Sequence, residues 1–162
     1  MIVIVCGVSG TGKSTVGKLL AEELKVPFFD GDDFHPESNV QKMKSGVGLN
    51  DEDRQPWLQS ISTELALWES SSGAVLACSA LKECYREILM SQCKKNLTWI
   101  MLHGSIELLA KRLDSRKDHY FDPRLLDSQL NTLELPDYGW VIEVQQTPDE
   151  IVKIISQQLN KT

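Results

Sequence analysis

The chain has 162 residues, of which 41% are hydrophobic and 25% charged, and its 23 acidic against 17 basic residues give a net charge of −6. One domain with a sizeable core is the default at this length. The acidic balance excludes a nucleic-acid or anionic-membrane partner held by bulk electrostatics, while leaving room for a small anionic ligand in a local basic pocket.

Ile2 to Cys6 is a short β-branched run that reads as a strand buried on both faces. It is too short for the apolar core of a signal peptide, and no run of 18 apolar residues suggests a membrane span. Ser14 to Leu24 carries Val16, Leu19, Leu20 and Leu24 at helical spacing. Val26 to Phe29 reads as a second strand, followed by the polar stretch DGDDFHPESN. Pro36 suits the first turn of a short helix ending near Gly46. Leu58, Ile61, Leu65 and Trp68 form the apolar stripe of a further helix, with Pro56 expected near its start, because a mid-helix proline costs about 3 kcal/mol.

Ala74 to Cys78 is a third strand, and SALKECYREILM a helix after it. Thr98 to Leu102 is a fourth strand and Ile106 to Leu113 a helix. After the polar DSRKDHYFDP, a short helix carries Leu125, Leu126 and Leu130. Trp140 to Val144 is a fifth strand, and Pro148 opens a last helix with Ile151, Ile154, Ile155 and Leu159 facing inward. Strands alternating with helices imply an α/β fold with a five-stranded parallel sheet and helices on both faces. Two insertions, roughly 31 to 56 and 114 to 124, follow strand–helix units at the sheet end where ligands bind. Cys6, Cys78, Cys84 and Cys93 form no C-x-x-C pair, which favours reduced thiols in a cytoplasmic protein over a zinc site or disulfides.

GVSGTGKST, residues 7 to 15, matches G-x-x-x-x-G-K-[ST] between a strand and a helix. The expected nucleotide-binding residues are Gly7, Val8, Ser9, Gly10, Thr11, Gly12, Lys13, Ser14 and Thr15. Glycines let the backbone curl so that successive N–H groups face a phosphate, and the helix N-terminus adds partial positive charge. Lys13 is placed to reach the β- and γ-phosphates, and the Ser14 hydroxyl to ligate Mg²⁺. The motif implies a bound nucleoside triphosphate but leaves open whether its phosphate goes to water or to a second substrate.

The acceptor is suggested by longer motifs. Asp30, Gly31, Asp32, His35, Pro36, Asn39, Lys42 and Met43 match D-G-D-x-x-H-P-x-x-N-x-x-K-M. Leu49, Asp51, Asp53, Arg54, Pro56, Trp57 and Leu58 match L-x-D-x-D-R-x-P-W-L. CSALK, with Tyr85 and Arg86 after it, and RKDHYFDPRLLDSQLNTLELP, residues 116 to 136, complete the set. Over nearly its whole length the chain resembles the gluconokinase family of small P-loop kinases. It departs from the family at Gly48, where proline is usual, at Asp118, where glycine is common, and in a shortened stretch from Asp137 to Trp140.

The resemblance implies a single P-loop kinase domain over residues 1–162, with a substrate lobe (about 31–56) and a lid (about 114–124). It implies transfer of the ATP γ-phosphate to the 6-hydroxyl of D-gluconate, with Mg²⁺ as cofactor. Expected partners are D-gluconate and ATP, with a homodimer left open and neither nucleic acid nor membrane. A primary alcohol needs a carboxylate to orient it and accept its proton. Asp32 is the first choice, with Asp30 better placed for Mg²⁺; the opposite assignment stays open. Arg54 could grip the gluconate carboxylate through two hydrogen bonds or form a salt bridge to Asp51 or Asp53. His35, Lys82 and Arg86 are candidates for hydroxyl or carboxylate contact. Arg116 lies where lid arginines of such kinases clamp the transferring phosphoryl group, and Arg112, one helical turn earlier, where one lies on adenine. His119 and Gln129 match lid-motif residues, with no chemistry assigned. The four tryptophans, Trp57, Trp68, Trp99 and Trp140, read as core. The rival readings are a kinase for another small acid such as shikimate, and a nucleotide-binding module without a small substrate.

Overall fold

A computed structural model describes residues 1–115 and 125–162. Its strands are β1 (Ile2–Cys6), β2 (Phe28–Asp30), β3 (Ala74–Ala77), β4 (Thr98–His103) and β5 (Trp140–Glu143). They form one parallel sheet in the order β2-β3-β1-β4-β5. The helices are α1 (Lys13–Leu24), α2 (Glu37–Lys44), α3 (Asp51–Glu69), α4 (Glu83–Met90), α5 (Ile106–Asp114), α6 (Leu125–Thr132) and α7 (Pro148–Leu159). α1 packs against α7 and along β1, β2 and β3, while α3 packs against α4. Every residue of β1 and β3 is buried, which accounts for their uninterrupted apolar character. β1 lies between β3 and β4, so the loop leaving it emerges at the carboxyl end of the sheet where the strand order reverses. No helix among the described residues is long and apolar enough to cross a membrane.

Three element starts differ from the sequence reading by more than one residue. β2 runs two residues later than expected, because Lys25 takes a left-handed conformation (φ 56°) and Val26 N–H still bonds back to Ala21 O. α3 begins at Asp51, ahead of Pro56. Asn50 caps it by accepting from Asp53 N–H at 2.7 Å, and the Asp53 carboxylate accepts from Asn50 N–H at 3.0 Å, a reciprocal box that fixes the start. Pro56 therefore sits in the second turn, where a single backbone bond is lost. The expected helix from Ser79 starts only at Glu83, because Ala80 is held at φ 43°. A 3₁₀ turn, Gly31–Phe34, follows β2 and carries Asp32; nothing in the local pattern announced it.

Candidate active site

The loop between β1 and α1 is built on left-handed glycines. Gly7 has φ 144°, and a Cβ there would lie 2.6 Å from Leu102 O on β4, so only glycine fits this close passage. Gly12, at φ 87°, is the residue before the first turn of α1. Thr11 is buried and donates to Val8 O at 2.8 Å, while Lys13 Nζ reaches back to the same carbonyl at 3.1 Å. The lysine ammonium thus lies across the mouth of the loop. Ser14 Oγ donates to Asp30 Oδ2 at 2.6 Å, and Asp30 Oδ1 accepts from Asp32 N–H at 3.0 Å. A hydroxyl and a carboxylate side by side at a phosphate loop are the hard oxygen donors that Mg²⁺ accepts in such enzymes, the remainder coming from phosphates and water.

Two clefts meet at this loop. One is lined by Ser9, Lys13, Ser14, Asp30, Asp32 and Cys78. The other is lined by Lys13, Asp32, His35, Arg54, Trp57 and Gln129, together with Leu49, Ser79, Leu81 and Ser128. Lys13 and Asp32 belong to both, whereas Asp30 faces only the first. The Cys78 thiol is pushed up to about 12 by burial, which leaves it inert beside the phosphate loop. A third cleft, about 340 Å³, is lined by Gly10, Gly12, Thr15, Arg112, Gln146 and Pro148. Arg112 is fixed there by donating to Val144 O at 2.7 Å and Gly10 O at 3.3 Å.

The acceptor side of the second cleft is assembled by α3. Trp57, missed as a site residue because its burial suggested core, donates Nε1–H to Gly31 O at 2.7 Å and so pins the turn that carries Asp32. Its indole also stacks on His35, with ring centroids 4.1 Å apart and 14° between planes. Asn39, buried on α2, donates to Asp53 O at 2.8 Å and to His35 Nδ1 at 3.2 Å. A carbonyl can only accept, so the amide orientation is fixed, and His35 is left with its proton on Nε2. Burial, with the Arg54 charge adding to it, pushes the His35 pKa down to about 4. Neutral His35 therefore points a donor at Asp32, whose Oδ1 lies 4.0 Å from Nε2.

Arg54 is 7% exposed. The acids that could have neutralised it are engaged elsewhere. Asp51 accepts from Tyr85 O–H and pairs with Lys82 at 3.2 Å, while Asp53 pairs with Lys42 at 2.9 Å. The hydrogen bond from Tyr85, then that from Lys82, holds the Asp51 carboxyl below the usual range. Arg54 instead donates Nη1–H to Leu49 O at 2.6 Å and to Tyr85 Oη at 3.0 Å. No carboxylate pairs with it among the described residues.

Two expected substrate contacts are engaged with other protein groups. Lys82 does not line the cleft and is spent on Asp51, lying over the Tyr85 ring. Arg86 is 1% exposed and donates to Ala80 O (2.7 Å), Glu134 O (2.9 Å), Glu83 Oε2 (3.0 Å) and Tyr138 Oη (3.0 Å). It ties the left-handed Ala80 in the cleft wall to the segment after α6. Replacing Arg86 with Met should cost about 2–4 kcal/mol of stability, because the carbonyls of Ala80 and Glu134 lose their donor, while Glu83 keeps Tyr138. Urea unfolding checks this; a loss below about 1 kcal/mol would mean that water replaces the guanidinium. Arg116 and His119 lie outside the described residues.

The shikimate kinase family model matches residues 9–159. A probable gluconokinase from Dictyostelium discoideum is 44% identical over 172 residues, covering 98% of this chain and 86% of that protein. The chain belongs to the gluconokinase family of small P-loop kinases. A crystal structure of a gluconokinase from Sinorhizobium meliloti 1021 superposes with a TM-score of 0.84 at 42% identity, covering 94% of this chain and 87% of that one. A sugar kinase from Janibacter sp. HTCC2649 gives 0.91 at 34% identity, covering 98% and 93%.

Proposed function

We propose that the protein is an ATP-dependent gluconokinase that phosphorylates the 6-hydroxyl of D-gluconate. The observation that carries this reading is Arg54. A guanidinium buried beside a phosphate loop, with Asp51 and Asp53 acting on it only through space and no carboxylate bonded to it among the described residues, offers an external anion a charge-assisted partner. Gluconate supplies a carboxylate, and a sugar acid supplies hydroxyls for His35 and Asp32. Asp32 borders both clefts, the position required of a group that serves an acceptor hydroxyl next to a phosphate.

In the transfer, Asp32 orients the 6-hydroxyl and accepts its proton. The new O6–phosphorus bond forms as the bond from phosphorus to the ADP oxygen breaks. Lys13 neutralises charge on the phosphates, which backbone N–H groups of the loop cradle. Ser14 and Asp30 would hold Mg²⁺, which lowers the charge of the transferring group. Arg112, between Gly10 and Val144, forms one wall for the adenine ring, and Arg116 from the lid clamps the phosphoryl group. The chain acts as one kinase domain with a substrate lobe over about 31–56 and a lid over about 114–124. Four free thiols suit a cytoplasmic setting.

ADP release measured with Mg²⁺ and a panel of D-gluconate, shikimate, glucose and water should rise strongly with gluconate alone. Equal stimulation by shikimate or glucose would overturn the substrate assignment. Arg54→Met, in the same assay, should lower kcat/KM for gluconate by about one to two decades, corresponding to a charge-assisted contact of about 1.5–3 kcal/mol. The loss should be smaller for any neutral polyol that turns over. An unchanged gluconate KM would make Arg54 purely structural.

A further inference from the structure

α6 presents its inward face through Leu125 and Leu126, both buried. Gln129 lies four residues after Leu125 and three after Leu126, so it shares that face although it is polar. Its amide is not directed to solvent. Oε1 accepts the backbone N–H of Ser9, in the phosphate loop, at 2.8 Å across 120 residues of sequence. Only the oxygen of an amide can accept from a backbone N–H, so this bond fixes which end of the amide is which. Nε2 is left with two hydrogens and no hydrogen-bond partner among the described residues. Gln129 lines the cleft with Lys13, Asp32 and Arg54. The helix is seated close: a Cβ on Gly48, across the cleft mouth, would lie 2.7 Å from Ser128 Oγ. The side chain is therefore held at both its ends, by its helix and by the loop.

We propose that Gln129 is a catalytic residue of the transfer, its Nε2–H donating to an oxygen of the transferring phosphoryl group while Ser9 N–H holds the amide in register. In such a transfer, charge spreads over the three equatorial phosphoryl oxygens, and a donor already in place needs no reorganisation as that charge develops. The assignment rests on the gluconokinase reading, because it concerns the phosphoryl group in flight to gluconate.

Gln129→Glu separates this role from a structural one. A carboxylate keeps the acceptor for Ser9 N–H but turns the cleft-facing donor into an acceptor. The expected result is an unchanged melting temperature and an unchanged ADP affinity, with kcat at saturating ATP and gluconate reduced about 10²-fold. Gln129→Met, which adds no charge, should lose kcat to a similar extent and also melt earlier, since Ser9 N–H then lacks its partner. Wild-type kcat in Gln129→Glu would show that the residue only caps the loop and would overturn the proposal. So would a loss confined to Glu with Met unaffected, which is charge repulsion, or a loss that follows ADP affinity, which is loop distortion. Failure of the gluconate reading would appear separately, as wild-type protein whose ADP release does not respond to gluconate.

Discussion

Lys13→Met should lower kcat by about 10³-fold or more while leaving the fold intact. The geometry supplies both halves of that expectation. Lys13 opens α1 at the mouth of the phosphate loop, borders the nucleotide and acceptor clefts together, and folds back on Val8 O at 3.1 Å. In the proposed reaction its positive charge meets the β- and γ-phosphates, so its value is greatest once those phosphates carry the charge of the transition state. The loop's own shape rests on other contacts: Gly7 passing Leu102 O, Thr11 bonded to Val8 O, and Ser14 bonded to Asp30. Methionine keeps most of the aliphatic stem and removes the charge and the bond to Val8 O, which still accepts from Thr11. Steady-state kinetics with thermal melting checks the pair of outcomes. Near-normal turnover would remove Lys13 from the mechanism, and a collapse of melting temperature would make it part of the scaffold.

The features readable from sequence were those that act through neighbours along the chain. The phosphate loop needs glycines and a lysine at fixed offsets, and buried parallel strands need continuous apolar runs, so both could be seen. What escaped depends on partners far apart. Arg86 looked like any cation on a helix, and its burial under Glu134 and Tyr138 follows from contacts across 48 and 52 residues. Tyr85 and Lys82 take Asp51 away from Arg54, which adjacent numbering had suggested as its partner. Trp57 was read as core, and it is buried. Its function comes from the one polar atom it carries, aimed at Gly31 O, and from the face it offers to His35. The start of the helix at Glu83 was missed for a shorter-range reason: Ala80 is held left-handed, and Arg86, six residues on, donates to its carbonyl.

Asp32→Asn should reduce kcat by about 10²–10⁴-fold with ATP binding near normal. The amide keeps the shape of the side chain but cannot take the proton of the 6-hydroxyl. Asp32 sits on a 3₁₀ turn pinned by Trp57, half-exposed, and faces neutral His35 at 4.0 Å. Because His35 carries no charge above a pKa of about 4, it does not neutralise the carboxylate at working pH. Asp30 differs in the cleft that it faces. Both of its oxygens are engaged, by the Ser14 hydroxyl and by Asp32 N–H, and it faces the phosphate cleft without reaching the acceptor. Asp30→Asn should therefore act through Mg²⁺, shifting the metal concentration needed for half-maximal rate, with part of the rate recovered by excess metal. A loose transition state transfers the proton late, which would move the Asp32 loss toward the lower end of its range. Measuring kcat for both variants across a Mg²⁺ titration separates the two acids. Metal rescue of Asp32→Asn without rescue of Asp30→Asn would exchange their roles, because the residue restored by added cation is the one that binds it.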